Sequence, residues 1–348
     1  MYNAVAELSR LIAGAGFESV VQSQLENHWQ QFAKEIKRDS VGNLLAHIGG
    51  TGPKLLLEAH ADEVCFYVRN VDSHGFVHLN PLVMRTDLRP EREVFLVGQP
   101  AIIQTDNGNI EGTFGAVTGH VVPLRLRNKS ELDWDDVFVD IGMGSSDEVE
   151  STGITVGDPV VWKSMPRTIG DLIVGKAMDD RAGLAIMTEL VKDLDITRIH
   201  YDLFLASSIQ EEFGLVGAAS LEREWQFDLA VALDCGLAGD IPGLGPDDMP
   251  IALGDGPILV HNDRRVSYSR SLTKRLATCA REAGIRFQYG SFPNYSSDGV
   301  ELIRGGVETA LLAFPTRYTH SPFETVCKDD LLQCKRLIKT FLETDGST

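Results

Sequence analysis

Four apolar runs in this chain lead directly into side chains that can bind a metal ion. KLLLEAH ends on His60 and LAVALD ends on Asp234. LFLASSIQEE carries Glu211 and Glu212 just past its apolar part, and LIVGKAMDD carries Asp179 and Asp180. KLLLEAH has the unalternating character of a strand buried on both faces. LIV leads through GKAMDD into an unbroken helical pattern over Arg181–Leu194. Strands alternating with helices define an α/β sheet, which collects its sites in loops outside the carboxyl ends of its strands.

The rest of the chain falls into place around this pattern. Helical spacing recurs over residues 3–12, with Val5, Leu8, Leu11 and Ile12, and over 18–32, with Val21, Leu25, Trp29 and Phe32. Strand-like runs follow at Lys34–Arg38 and Asn43–Ile48. From Val64 to about Val161 there is little helical pattern. CFYVRNV, GFVHL, EVFLVG, AIIQT and DVFVDIG are short runs punctuated by Gly, Asn, Asp and Pro, and Asp106-Asn107-Gly108-Asn109 marks a hairpin. The α/β pattern then returns. It closes on an amphipathic helix over Asp329–Leu342, with Leu331, Cys334, Ile338 and Phe341 on one stripe. The simplest organisation is one α/β domain, residues 1–66 plus 164–348, interrupted by a β-rich insertion, residues 67–163.

A chain of 348 residues has room for about two such units. Fifty acidic residues against 32 basic ones leave a net charge of −18, which argues against a nucleic-acid backbone or an anionic membrane as partner. The five cysteines are odd in number and form no C-x-x-C pair, so a reduced, cytoplasmic setting is expected. The N-terminus lacks a basic segment followed by an apolar core, and no run approaches the roughly 18 apolar residues of a membrane helix.

Each candidate residue has an ordinary reading beside its functional one. His60 and Asp62 form H-x-D, either a ligand with the carboxylate that orients it or a strand-end histidine bonded to its neighbour. Asp180 is a good N-cap for the helix that begins at Arg181, which leaves Asp179 free for another task. Glu211 and Glu212 are adjacent, so in extended chain they point to opposite sides, one able to bind metal and the other to face a substrate. Asp234 ends an apolar strand, where a carboxylate needs a partner. His320 lies in RYTHSPFE, flanked by Arg317 and Glu324. Cys65 and Cys235 read as buried thiols. Asp298 reads as a helix cap or a pocket residue. A mixed set of histidines and carboxylates suits zinc, cobalt or manganese, and one carboxylate can bridge two ions.

Seven segments carry a resemblance: AHADEV (59–64), VDIG (139–142), GITVGD (153–158), GKAMDDRAG (175–183), QEEFGLVGA (210–218), LDCGLAGDIPG (233–243) and RYTHSPFE (317–324). In order and across nearly the whole chain, they resemble the dinuclear aminopeptidases of metallopeptidase family 42, the glutamyl and deblocking enzymes that build tetrahedral particles. The resemblance implies a three-layer α/β catalytic domain with a mixed central sheet, and an inserted, β-barrel-like domain used in dimerisation. It implies two divalent metal ions per subunit, zinc foremost, with cobalt or manganese as alternatives. His60, Asp179 and Asp234 would hold one ion, and Asp179, Glu212 and His320 the other. Asp179 would bridge them and be followed by a cis peptide. Glu211 would be the general base acting on a bridging metal-bound water, and Asp62 a supporting carboxylate near the site. The expected activity is removal of N-terminal residues from peptides with a free N-terminus, in dimers that assemble to a dodecamer.

The chain departs from that family at Cys65, at Ala61, at SSDG (296–299) and at TGHVVP (118–123), none of them a proposed ligand. A dinuclear amidohydrolase acting on N-acylated peptides or amino acids would use the same core. Glycoside hydrolysis fits poorly, because it needs two carboxyl groups about 5–10 Å apart across a sugar. A shell-forming protein with a dead site would lack a ligand or the base, and this sequence has all of them.

Overall fold

The computed structural model describes residues 1–81, 90, 94–117, 119–123 and 131–345, with the backbone alone for 119 and 222–224. An eleven-stranded sheet forms the centre. Its main path runs Glu35–Arg38, Leu44–Gly50, Asp202–Ser208, Lys54–His60, Leu229–Leu237, Glu308–Arg317, Glu324–Cys327, Leu172–Gly175 and Arg167–Ile169. The pairs among the Asp202, Lys54, Leu229 and Glu308 strands are parallel, and the outer pairs are antiparallel, so the sheet is mixed.

The sheet is covered on both faces. In the Lys54–His60 strand, Leu55, Leu57 and Ala59 pack into one core and Leu56 into the other. The larger core receives helices Tyr2–Ser9, Ser19–Trp29, Met178–Lys192, Arg270–Glu282 and Lys328–Glu343. Helices Ala218–Glu224 and Gly299–Arg304 cover the opposite face through Leu221 and Leu302. The expected C-terminal stripe, Leu331, Cys334, Ile338 and Phe341, is fully inside the larger core. Among the described residues no helix is long and apolar enough to cross a membrane.

The second unit is a closed six-stranded antiparallel barrel. Its order is Phe66–Val71, Val77–Asn80, Val137–Asp140, Gly108–Ala116, Pro100–Thr105 and Pro159–Trp162, the last returning to the first. Closure removes the exposed strand edges that so small a sheet would otherwise present. The hairpin at Asp106-Asn107 pairs Thr105 with Gly108, and Gly108 takes φ +126°, open to glycine but not to a side chain.

Three local expectations need correction. EVFLVG makes no strand over its described part, Val94–Gly98, while Glu93 lies outside the described residues. Phe95 turns the chain with φ 51°, and Val94 and Leu96 plug the barrel core instead of joining a ladder. The second helix ends at Trp29, so Phe32 falls outside its stripe and is exposed. The insertion also holds a short helix, Ser146–Ser151, capped by the Ser145 hydroxyl accepting from the Glu148 amide. The S-x-x-E signature at 145–148 was the available signal. Of TGHVVP (118–123), Thr118 lies outside the described residues.

Candidate metal centre

Parallel strands set their polar ends side by side. His60 is the last residue of its strand, in register with Ser208 of the neighbour that leads to Glu211 and Glu212. Asp234 lies on the strand on the other side of His60's. The loop after Leu172–Gly175 carries Asp179 into the same space, and the segment after Glu308–Arg317 carries His320. Ala177, Gln210 and His320 take φ of 54°, 52° and 62°, so the three loops are held in left-handed turns without glycine. The Asp179–Asp180 peptide is cis.

The two imidazoles flank one carboxylate. His60 Nε2 is 3.0 Å from Asp179 Oδ1, and His320 Nε2 is 3.4 Å from Asp179 Oδ2 and 3.5 Å from Glu212 Oε2. Donor atoms of His60, Asp179 and Glu212 lie within 4.8 Å of one another, as do those of Asp179, Asp234 and Cys235. Asp179 belongs to both groups. Its neighbours are held from behind. Asp62 stands 3.3 Å from His60 Nδ1 and accepts the Glu211 and Glu212 amides at 3.0 and 3.1 Å. Asp180 accepts the Gly183 amide as a cap and the His60 amide with its other oxygen.

Glu211 lines the same cavity of about 760 Å³ as Asp179, Glu212, Asp234 and His320. All seven candidates, His60, Asp62, Asp179, Glu211, Glu212, Asp234 and His320, therefore converge. Asp298 does not cap its helix. It shares the Ser208 hydroxyl with Glu58 at 2.5 and 2.7 Å. One hydroxyl proton cannot serve two carboxylates, so one of that pair carries a proton of its own.

The electrostatics follow from burying so many acids. Burial, with Asp179 adding to it, pushes Asp234 up to about 7. Burial and Asp179 likewise push Glu212 to about 8, against the pull of His320. Glu211 is raised well above the carboxylate range by burial, with Asp234, Asp298 and Glu212 reinforcing it against His60. Asp179 goes the other way. Burial opposes its charge, but the hydrogen bonds from His320 and His60 outweigh it and hold it below the usual range. Burial disfavours a charged His320, yet Glu212 and Asp179 lift it to about 10.

This donor set fits a divalent cation. Imidazole and carboxylate donors group with Asp179, together with the thiol of Cys235. Glu212 Oε1 is buried with no hydrogen-bond partner among the described residues. Ligands about 2.0–2.2 Å from a tetrahedral ion stand about 3.3–3.6 Å apart. The 3.0–3.5 Å contacts around Asp179 are close to that spacing.

Sequence reasoning missed several residues here. Glu324 accepts the amides of His320 and Asp179 at 2.6 and 3.2 Å, clamping the two loops together. Cys235 is buried as expected, but its Sγ lies 3.2 Å from Asp179 Oδ2. Arg264 and Arg265 line the cavity. Glu324 stood in the RYTHSPFE segment, but nothing local announced its two partners.

A three-layer α/β unit with a barrel, and histidines and carboxylates gathered at its strand ends, defines the class of hydrolase. Within it, the chain belongs to the M42 glutamyl aminopeptidase family, whose pattern it matches over residues 42–337. It is an exopeptidase hydrolase. The FrvX protein of Escherichia coli K12 is 31% identical over 355 residues, covering 97% of this chain and 94% of its own length. The lysyl aminopeptidase of Pyrococcus furiosus is 28% identical over 320 residues, covering 89% and 87%. Among solved structures, the Pyrococcus horikoshii TET1 peptidase, described as able to assemble into a tetrahedron or a large octahedral shell, superposes with a TM-score of 0.87. It is 25% identical, and 98% of each chain is covered.

Proposed function

We propose that this chain removes N-terminal residues from free peptides with two divalent metal ions, zinc foremost. The observation that carries the reading is one buried carboxylate, Asp179, with an imidazole on each of its oxygens. His60, Asp179 and Asp234 would hold one ion and Asp179, Glu212 and His320 the other. When bound, such ions supply Lewis acidity toward the scissile carbonyl and toward the attacking water.

The chain's own residues do the rest. Glu211 takes a proton from that water and delivers it to the leaving amine. A buried carboxyl with raised proton affinity is suited to holding the proton between the two steps. Asp62 lies 3.3 Å from His60 Nδ1 and, through two amide hydrogen bonds, fixes the position of both glutamates. Residues 67–163 serve dimerisation, and the dimers assemble to a dodecamer, as the TET1 relative's shells suggest. We place the protein in the cytoplasm, where its five buried thiols stay reduced.

The test is hydrolysis of a free peptide pool and its N-acetylated twin by chelator-stripped protein resupplied separately with zinc, cobalt or manganese. Metal-restored, residue-by-residue cleavage of the free pool is expected. Cleavage confined to the acetylated pool would move the assignment to a deacylase.

A further inference from the structure

The cavity that holds the carboxylate cluster has a wall of opposite sign. Arg264 and Arg265 line it beside Asn294, Tyr295 and Ser296. Both side chains are exposed, and neither makes an ion pair among the described residues. Arg317 differs: its guanidinium is committed to Asp240, with Nε at 2.8 Å.

The two arginines sit at the tip of a braced turn. Asn262 and Ser267 bridge its base. The buried Asp263 accepts the amides of Arg265 and Val266 at 2.6 and 2.9 Å and the Tyr268 hydroxyl at 2.8 Å. The Arg264 amide donates to the Tyr295 carbonyl at 3.0 Å, tying the turn to the neighbouring loop of the cavity. Two uncompensated cations are therefore held at a cavity whose floor is acidic, in a chain of net charge −18.

We propose that Arg264 and Arg265 are specificity-determining residues that bind a substrate carboxylate. The proposal rests on the aminopeptidase reading, in which the peptide's ammonium end lies at the carboxylate cluster and the remainder reaches the arginines. Guanidinium matches carboxylate with two parallel hydrogen bonds. That carboxylate has two possible sources: the side chain of an acidic first residue, or the C-terminus of a dipeptide. Family membership leaves the preference open, since the family is described as glutamyl and one relative as lysyl.

The experiment measures kcat/KM of the metal-loaded enzyme on Glu-Ala-amide, Leu-Ala, Leu-Ala-amide and Lys-Ala-amide. The variants are R264A, R265A, their double and the double reversal R264E/R265E, each checked for native melting. The wild type is expected to favour a carboxylate-bearing peptide over Leu-Ala-amide by roughly tenfold, the size of one charged hydrogen bond. The double alanine variant should lose most of that ratio, mainly through KM, and the reversal should shift preference toward Lys-Ala-amide. A ratio lost with Glu-Ala-amide identifies the side chain as the source, and one lost with Leu-Ala identifies the C-terminus. Ratios that stay within about twofold of wild type in every variant would overturn the proposal. Cleavage of none of the four peptides by the wild type would overturn the aminopeptidase reading and the proposal with it.

Discussion

Two buried charge clusters lie within a few residues of each other, and they are built on opposite plans. Lys176 and Arg181 flank the two aspartates in GKAMDDR, yet both turn away from the cavity. Lys176 Nζ contacts both oxygens of Glu63 at 2.7 Å and donates to the Leu11 carbonyl at 2.9 Å. Arg181 donates to the Leu8 carbonyl at 3.0 Å and lies 3.9 Å from Glu63. All three side chains are at most 2% exposed. This cluster pairs Lys176 closely with Glu63, holds Arg181 at its edge, and ties the N-terminal helix to the loop of Asp179. The other cluster gathers Asp179, Asp234, Glu211, Glu212 and Asp62 around two histidines, and no lysine or arginine pairs with any of them among the described residues. A closed ion cluster is structure, whereas an open one calls for a cation from outside.

The largest effect expected from breaking that contrast comes from Asp179→Asn. It removes the carboxylate common to both groups, so bound metal should fall below one ion per chain by elemental analysis and peptidase activity should vanish. Full metal content in this variant would remove the basis for a shared ligand. Glu211→Gln is expected to keep its metal while kcat falls about 10²–10⁴-fold, the usual size of a general base contribution. Turnover near wild type would end that assignment.

The closed cluster should respond in stability instead. Glu63→Gln leaves Lys176 buried without its anion and should cost about 3–5 kcal/mol in denaturant unfolding of the stripped protein. A loss below about 1 kcal/mol would mean that the remaining backbone acceptors satisfy the lysine.

The smallest effect concerns Glu18, an acid beside Asp62 that accepts the Gly16 and Gln210 amides at 2.7 and 3.0 Å through one oxygen. Burial and Asp62 raise it from 4.5 to about 7. Because the folded value is the higher one, its contribution is fully present below pH 4.5 and is lost as pH rises through about 7. Glu18→Gln keeps the accepting oxygen. It should be more stable than wild type by about 1–3 kcal/mol at pH 8 and indistinguishable at pH 4, as read from paired urea titrations. A pH-independent difference would show packing to be the cause.

Much of the site was legible because its residues stand where strands end. KLLLEAH forms a strand over the range its apolar run defines, whereas Asp234 does not end its strand, which stays paired through Leu237. The cap at Asp180 was legible too, since capping is decided within three residues. Partners far apart in sequence were not: Glu63 with Lys176, Glu324 with His320 and Asp179, and Arg264 with Tyr295. EVFLVG shows the same limit from the other side. Its apolar residues are buried as apolar residues must be, but whether they join a ladder or plug a barrel is not written in their order.

The sequence by itself determined most of the strands and helices, the α/β-with-insertion plan and the set of polar residues on or just after the strands, because periodicity and apolar run length act over a few residues. Only the tertiary structure decided which charges close on each other and which face the cavity. Lys176 and Asp179 are three residues apart, and one is neutralised while the other stays open. That outcome depends on what the N-terminal helix and the neighbouring strands bring to each, at distances no local pattern encodes.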